Sequence, residues 1–383
     1  MLQPVPPLAA RLFLLAALAL PAHRVVWGED APATVAPPQD SFIQQVEKHF
    51  AEWDANHDGT LTLTELDAAV GNPQIQGPEG AALAALKRAS RTPNYTLPPL
   101  TLASIHELNE KHKADQPDLS AMYRFGLKKL AKNNRALFVS GVPRLETIRQ
   151  GKMGNCFTLA PLGALTAGRP EVVKAMFHSL EDGSYEVKMG AKAVHVAPPT
   201  DAEVAMISST GGDGLWVNIY EKAAGQARNE LRPEAQRTAS ALDAIAKGGS
   251  AGTMLSFITG HPITRFSCKF AKDEKLTAAD RESKLIELRD LLSLAQQEGR
   301  LMTCGTVLTT TPGMTPHHAY AVLGYDAASD QIKLWNPHGD AFKPKGGTGL
   351  VNGYPRTAGV FQMPLGEFVQ QFAGLAFEQA PKV

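Results

Sequence analysis

A cysteine on a glycine-broken loop, two adjacent histidines and an Asn-Pro step are the residues of this chain best suited to chemistry. The loop reads Gln150-Gly151-Lys152-Met153-Gly154-Asn155-Cys156, and an apolar run through Phe157, Leu159, Ala160, Leu162 and Leu165 follows at once. Such a run predicts a buried helix with Cys156 at its N-terminus. There the positive end of the helix dipole lowers a thiol pKa and favours the nucleophilic thiolate. Gln150, six residues upstream, carries an amide donor able to stabilise an oxyanion near the sulfur. A buried structural thiol is the competing reading of a lone cysteine, and the loop by itself does not choose. Downstream, His317 and His318 lead a strand-like stretch over 320–325. After a turn at 326–330, Ile332-Lys333-Leu334-Trp335 reads as the paired strand, ending in Asn336-Pro337-His338-Gly339. A thiolate needs a base, and the base needs an orienter. Antiparallel strands joined by a short turn would set His318 beside Asn336. Neighbours in a strand face opposite ways, so only one of His317 and His318 can face the sulfur.

A second constellation suits a hard cation. Residues 54–65 read D-A-N-H-D-G-T-L-T-L-T-E and fill every diagnostic position of an EF-hand calcium loop. Asp54, Asn56 and Asp58 stand at positions 1, 3 and 5, and Gly59 makes the sharp turn at 6. Thr60 offers its carbonyl at 7, Thr62 stands at 9, and Glu65 supplies the bidentate carboxylate at 12. Apolar residues at helical spacing flank the loop on both sides: Phe42, Val46, Phe50 and Trp53 before it, Leu63, Leu66 and Val70 after it. The sequence shows no second loop of this quality. EF-hands pair, so the partner is degenerate, missing or supplied by another molecule, and the bound Ca2+ reads as structural rather than as a switch.

The catalytic segments resemble the calpain-type cysteine proteases. That family's nucleophile loop, Q-G-x-L-G-D-C-W, corresponds to Q-G-K-M-G-N-C-F at 150–157. Its G-H-A-Y-S-V corresponds to H-H-A-Y-A-V at 317–322, and its N-P-W-G to N-P-H-G at 336–339. Further stretches agree in the same order: Leu137-Phe138 with Gly141 and Pro143, Leu215-Trp216 with Glu221-Lys222-Ala223, Gly248-Gly249 with Phe257 to Gly260, and Gly359-Val360-Phe361 with Leu365 to Phe368. The likeness covers about residues 136–377. It implies a papain-like, two-subdomain α+β protease core in which a helical half bearing Cys156 faces an antiparallel-sheet half bearing His318 and Asn336. It also implies that Cys156 is the nucleophile, that His318 rather than His317 is the base, that Asn336 orients it, and that Gln150 and the Cys156 backbone N–H hold the oxyanion. Calcium binding within the core is implied as well. Four departures stand out: Asn155 for the family's Asp, Phe157 for a Trp, Pro161 inside the expected helix, and His338 for a Trp that covers the His–Asn pair. The proline removes an intrahelical bond.

The rest of the chain must position these groups. With 44% hydrophobic and 20% charged residues, the composition is ordinary for a globular protein of two or three domains. Its 38 basic and 38 acidic side chains balance, and no Lys/Arg run suggests nucleic acid or a membrane surface. Residues 1–28 read as a secretory signal, with Arg11 before an apolar core at 12–20 too short to span a bilayer. The expected location is therefore secreted or periplasmic, with no stable membrane anchor after cleavage. Residues 29–40 read as a Pro/Ala linker, 41–75 as the EF-hand, 76–135 as linker plus a helical segment, and 136–383 as the protease. The linker holds one short Ala-rich helix and the sequon Asn94-Tyr95-Thr96. The helical segment is a spacer, a support or a cover over the cleft. Within the protease, the pattern predicts a hairpin at 185–196 and helices near 216–227, 278–298 and 364–373. Strands are expected over 300–361. Cys268 and Cys304 read either as inert thiols or as a pair. The expected activity is that of a calcium-dependent, exported cysteine endopeptidase acting on proteins or peptides. A non-cutting pseudoprotease, or a calcium-dependent binding module on a protease scaffold, is the alternative.

Overall fold

The computed structural model describes residues 41–92, 95–110 and 115–379. The signal and Pro/Ala linker readings lie outside these residues, as does Asn94 of the sequon. Described residues from 41 onward belong to one compact unit. No helix among the described residues is long and apolar enough to cross a membrane.

The chain begins with two helix–loop–helix pairs. The first is α1 (Phe42–Trp53) and α2 (Leu63–Gly71); the second is α3 (Gly77–Arg91) and α4 (Leu102–Glu110). Their loops meet in a two-stranded contact, where Leu61 N–H donates to Leu100 O at 2.9 Å. The second helix of each pair starts the same way. Thr62 and Glu65 cap each other reciprocally at the start of α2, and Thr101 and Ser104 do so at the start of α4. Ser104 thus stands where the first loop has Glu65, and no Asp or Glu occurs between Ser90 and Thr101. The first loop therefore meets a second, carboxylate-free loop of the same chain.

Residues 77–91 hold the Ala-rich helix expected within the linker, and it is 15 residues long. They form α3, whose Ala81, Ala82, Leu83, Ala85 and Leu86 are buried. The alanines let backbones approach closely: a Cβ on Gly126 would lie 3.3 Å from the Cβ atoms of both Ala81 and Ala205. Those two neighbours belong to α3 and α8 (Asp201–Met206), and Gly126 to α5 (Leu119–Lys132). The Pro and Gly residues that suggested a break serve instead at the helix start, where Pro78 occupies the first turn and its missing N–H costs nothing. Thr200 Oγ1 donates to Val70 O at 2.6 Å, which ties α2 to the segment leading into α8. One continuous core runs from Phe42 and Val46 through α3 and α5 to Leu159, Trp216 and Ile219. Of the three roles left open for residues 101–133, the support is what α5 provides.

The helical half of the protease is built from α6 (Cys156–Gly168), α7 (Pro170–Ala175), α8, α9 (Trp216–Glu230) and α10 (Ala251–Thr259), with a small antiparallel sheet of β1 (Phe177–Ser179), β2 (Tyr185–Met189) and β3 (Lys192–Val196). Pro161 does not break α6, which continues through it. The other half is a six-stranded antiparallel sheet in the order β4-β9-β5-β6-β7-β8. Its strands are β4 (Ile263–Ser267), β5 (Met302–Thr306), β6 (Ala319–Asp326), β7 (Gln331–Trp335), β8 (Val360–Pro364) and β9 (Phe372–Glu378). Helix α11 (Ala278–Gln297) packs Leu288, Leu292 and Ala295 on a second core with the sheet, and α12 (Leu365–Gln371) joins β8 to β9. The expected helix over 364–373 ends at Gln371, and the last strand enters the sheet between β4 and β5. Helix α6 lies against β7 so tightly that a Cβ on Gly163 would run into the Trp335 ring. That contact fixes the start of α6 against the strands that carry the histidines and Asn336.

Candidate active site

Each site residue sits at the end of a rigid element. Cys156 is the first residue of α6, half-buried, and lines an open cleft of about 530 Å³ together with His317, His318, Ala319, Gly249 and Gly305. The backbone N–H groups of Ala319, Phe157 and Cys156 itself act on its sulfur and favour the thiolate. Burial outweighs them and pushes the thiol pKa up, contrary to the lowering expected from the helix terminus alone. Asn155, buried ahead of it, turns its side-chain amide to the carboxylate of Glu221 on α9 rather than to the helix start. Glu221 also accepts Ser208 N–H at 3.0 Å and Ser208 Oγ at 2.5 Å, and burial pushes it up to about 6. An Asp at 155 would oppose a second buried carboxylate, so the amide is the chemically consistent residue here. Glu221 was read in the sequence only as part of a matching helix; its role as anchor of the nucleophile loop became visible with the tertiary contact.

His318 and Asn336 meet as the paired strands require. His318 Nε2 lies 3.0 Å from Asn336 Oδ1, and both side chains are buried. The backbone N–H of His338 donates to the same Oδ1 at 3.0 Å, which identifies that atom as the oxygen. Nε2 must then carry the proton, and Nδ1 is left with its lone pair as the basic atom. Burial is the first cause that lowers the His318 pKa, to about 3, and the adjacent His338 adds to it. The two rings stack, 4.5 Å apart and 22° from parallel, with His338 where a covering Trp was expected. Burial lowers His338 too. Burial thus favours thiol and neutral imidazole over the charged forms at both residues. His317 precedes β6 instead of alternating within it. Its backbone is left-handed, at φ +49°, and its side chain is exposed.

Gln150 sits on the same loop, which is pinned to the Asn336 turn: Gln150 N–H donates to Pro337 O at 2.8 Å. One N–H of its side-chain amide is committed to Met153 O at 2.8 Å, and Gln150 lines a separate cavity with Phe125, Lys129 and Ile207 rather than the cleft that Cys156 lines. Phe157 packs beneath Gly249, with the Arg228 guanidinium 4.6 Å from its ring centre. Cys268 and Cys304 are both free and buried, and burial raises both thiols, Cys268 to about 12.

The family model described as calpain family cysteine protease matches residues 124–346, more than half of the chain. The chain belongs to the calpain family of cysteine proteases. Comparison with curated proteins finds no match. The matched range of this calpain-family domain starts within α5, so the supporting helix belongs to it, and it stops before β8 and β9, which complete the same sheet.

The loop over 54–65 joins α1 to α2 and is rich in oxygen ligand atoms. Asp54 is buried, its carboxylate held by Asp58 N–H at 3.3 Å and Gly59 N–H at 2.8 Å. Asn56 Oδ1 accepts Asp58 N–H, and Asp58 Oδ1 accepts Thr60 N–H, each at 2.9 Å. Glu65 reaches back to Asn56 N–H at 3.3 Å and Thr62 N–H at 2.9 Å. His57 and Gly59 take the left-handed backbone that the sharp turn needs. Three carboxylates, an amide oxygen and the Thr60 carbonyl are the ligand types that a hard divalent cation takes, with Thr62 at the following position, but the carboxylates of Asp54, Asp58 and Glu65 are not drawn together here as those of Glu52 and Glu79 are beside His49.

Proposed function

We propose that the chain is an exported, calcium-binding cysteine endopeptidase that hydrolyses peptide bonds in proteins or peptides through Cys156, His318 and Asn336. The observation that carries this reading is the His318–Asn336 hydrogen bond, buried in the cleft that Cys156 lines. As the Cys156 sulfur attacks the substrate carbonyl carbon, its proton passes to Nδ1 of His318. Asn336 Oδ1 holds the ring in the tautomer that makes Nδ1 available and stabilises the imidazolium. The oxyanion is received by the Cys156 backbone N–H. Collapse expels the amine, which takes the proton from His318. Water, deprotonated by the same imidazole, then hydrolyses the thioester and frees the thiol. Desolvation keeps the pair neutral until substrate arrives, so proton transfer accompanies attack.

Ca2+ would be held by Asp54, Asn56, Asp58, Thr60, Thr62 and Glu65, where it would neutralise the charge of three carboxylates. Millimolar calcium outside the cell suits a loop whose partner lacks ligands of its own. Purified mature protein, given reductant and calcium, should cleave a denatured protein, and Cys156→Ala should abolish cleavage. Glu65→Gln should weaken calcium binding about tenfold or more, because a charge and a chelating oxygen are lost together. Cleavage that survives Cys156→Ala would sink the assignment. So would a wild-type protein that binds a thiol-reactive peptide yet cuts nothing, the behaviour of a pseudoprotease.

A further inference from the structure

The cleft that Cys156 lines holds one permanently charged side chain, the guanidinium of Arg265, and the bond-breaking chemistry does not use it. Arg265 lies on β4, the edge strand that pairs only with β9. Its neighbour Phe266 turns into the second core, so Arg265 turns to the opposite face, toward α10. There its Nη2 donates to Ser250 Oγ and to Thr253 Oγ1, each at 3.2 Å. Thr253 Oγ1 in turn donates to Ser250 Oγ at 3.0 Å, and Ser250 caps the start of α10. Small residues make room for the guanidinium. Ala376 on β9 is the register partner of Arg265. A Cβ on Gly252 would stand 2.7 Å from the Ala376 Cβ and 2.9 Å from Arg265 Nη1, so a larger residue at 252 would displace the guanidinium.

The group missing around Arg265 is an anion. No Asp or Glu lines the cleft, and among the described residues none forms an ion pair with Arg265. The one carboxylate of β9, Glu378, is spent elsewhere: it takes Arg169 through both oxygens at 3.0 and 2.8 Å, and His261 at 2.7 Å. Ser250 and Thr253 are neutral, so they hold the guanidinium in place without neutralising it. Nε and Nη1 keep their N–H groups unspent. A carboxylate is the group whose two oxygens match neighbouring N–H groups of that planar fork.

We propose that Arg265 is a specificity-determining residue, which receives the carboxylate of a substrate Asp or Glu side chain at one fixed position near the scissile bond. The proposal rests on the endopeptidase reading of this cleft and names the substrate class it selects: acidic sequences. To test it, the full mature wild type digests a denatured protein, and mass spectrometry maps the cut sites. Asp and Glu should be enriched at a single position relative to the cut. Two peptides that differ only by Glu or Gln at that position then give kcat/KM values on each enzyme. The wild type should prefer the Glu peptide about tenfold, between an exposed ion pair and a hydrogen bond to a charged group. Added salt should shrink the preference. Arg265→Gln should abolish it, and Arg265→Glu should reverse it in favour of a peptide with Lys at that position. Each ratio is taken within one enzyme, so a variant that folds less well loses rate on both peptides alike. A wild-type map without acidic enrichment overturns the proposal, as does a preference that Arg265→Gln leaves unchanged. Cys156-dependent cutting indifferent to charge overturns this proposal alone, whereas a protein that cuts nothing overturns the endopeptidase reading and the proposal with it.

Discussion

Acid should destabilise this protein through His318 in particular, and the size of the effect follows from the burial of its ring. The unfolded imidazole takes a proton near pH 6.5, whereas the folded one, desolvated and stacked on His338, takes it only at about 3. Between those values the unfolded state binds more protons, so stability is fully present above 6.5 and falls as pH falls. Each pH unit in that window costs ~1.4 kcal/mol, so going from pH 7 to pH 5 removes about 2 kcal/mol attributable to this one side chain. The perturbation is His318→Phe, which keeps an aromatic ring of similar size, while Asn336 Oδ1 retains the His338 N–H at 3.0 Å. Urea unfolding of wild type and variant at pH 7 and pH 5, at one fixed calcium concentration, gives two stability differences. Carboxylates and the other histidines enter both proteins equally and cancel. The variant should gain on the wild type by about 2 kcal/mol on acidification, within a factor of two. A difference that stays constant across the two pH values would mean that His318 is not held neutral by burial, and the argument for a neutral resting pair would go with it.

Cys156→Ala and His318→Ala should both abolish turnover in a peptide-cleavage assay. Asn336→Ala should keep weak activity, reduced on the order of a hundredfold, and exposed His317→Ala should stay near wild type; an inactive His317 variant beside an active His318 variant would reverse the assignment of the base. His338→Trp should extend the acidic limb of the pH–rate profile downward, because a protonated His338 stacked 4.5 Å from His318 opposes formation of the imidazolium; an unchanged limb would remove that role. A chain beginning at Asn134 should aggregate or lose Cys156 reactivity, since it lacks α3 and α5, which bury Ala205 and pair Asp243; a folded monomer with wild-type alkylation would show that these helices are dispensable.

The chemistry was legible in the sequence because it is local. Each cluster of site residues occupies a short stretch, so residue type and spacing carry the information: Gln150 to Cys156, the His317-His318 pair, Asn336 to Gly339, and the twelve residues from Asp54 to Glu65. The hairpin of β6 and β7 was equally readable, since a short turn joins two apolar runs, whereas the register shift between Val322 and Gly324 was not. What the sequence could not decide is everything set by partners distant along the chain. The run 372–378 is apolar enough for several structures and became a strand only because β4 and β5, far back in sequence, leave a place between them. Residues 77–91 look like a broken linker by their Gly and Pro content, yet the alanines between those punctuation points are what let α3 pack against α5 and α8 at close range. The second helix–loop–helix has no carboxylate in its loop to announce it; only the Leu61–Leu100 contact and the reciprocal caps, Thr62 with Glu65 and Thr101 with Ser104, reveal it. Asn155 looked like a departure until Glu221 came alongside. Residue types determined which groups are able to react and to bind a cation. Tertiary packing decided the surroundings that shift them, because burial raises the pKa of Cys156 and lowers that of His318.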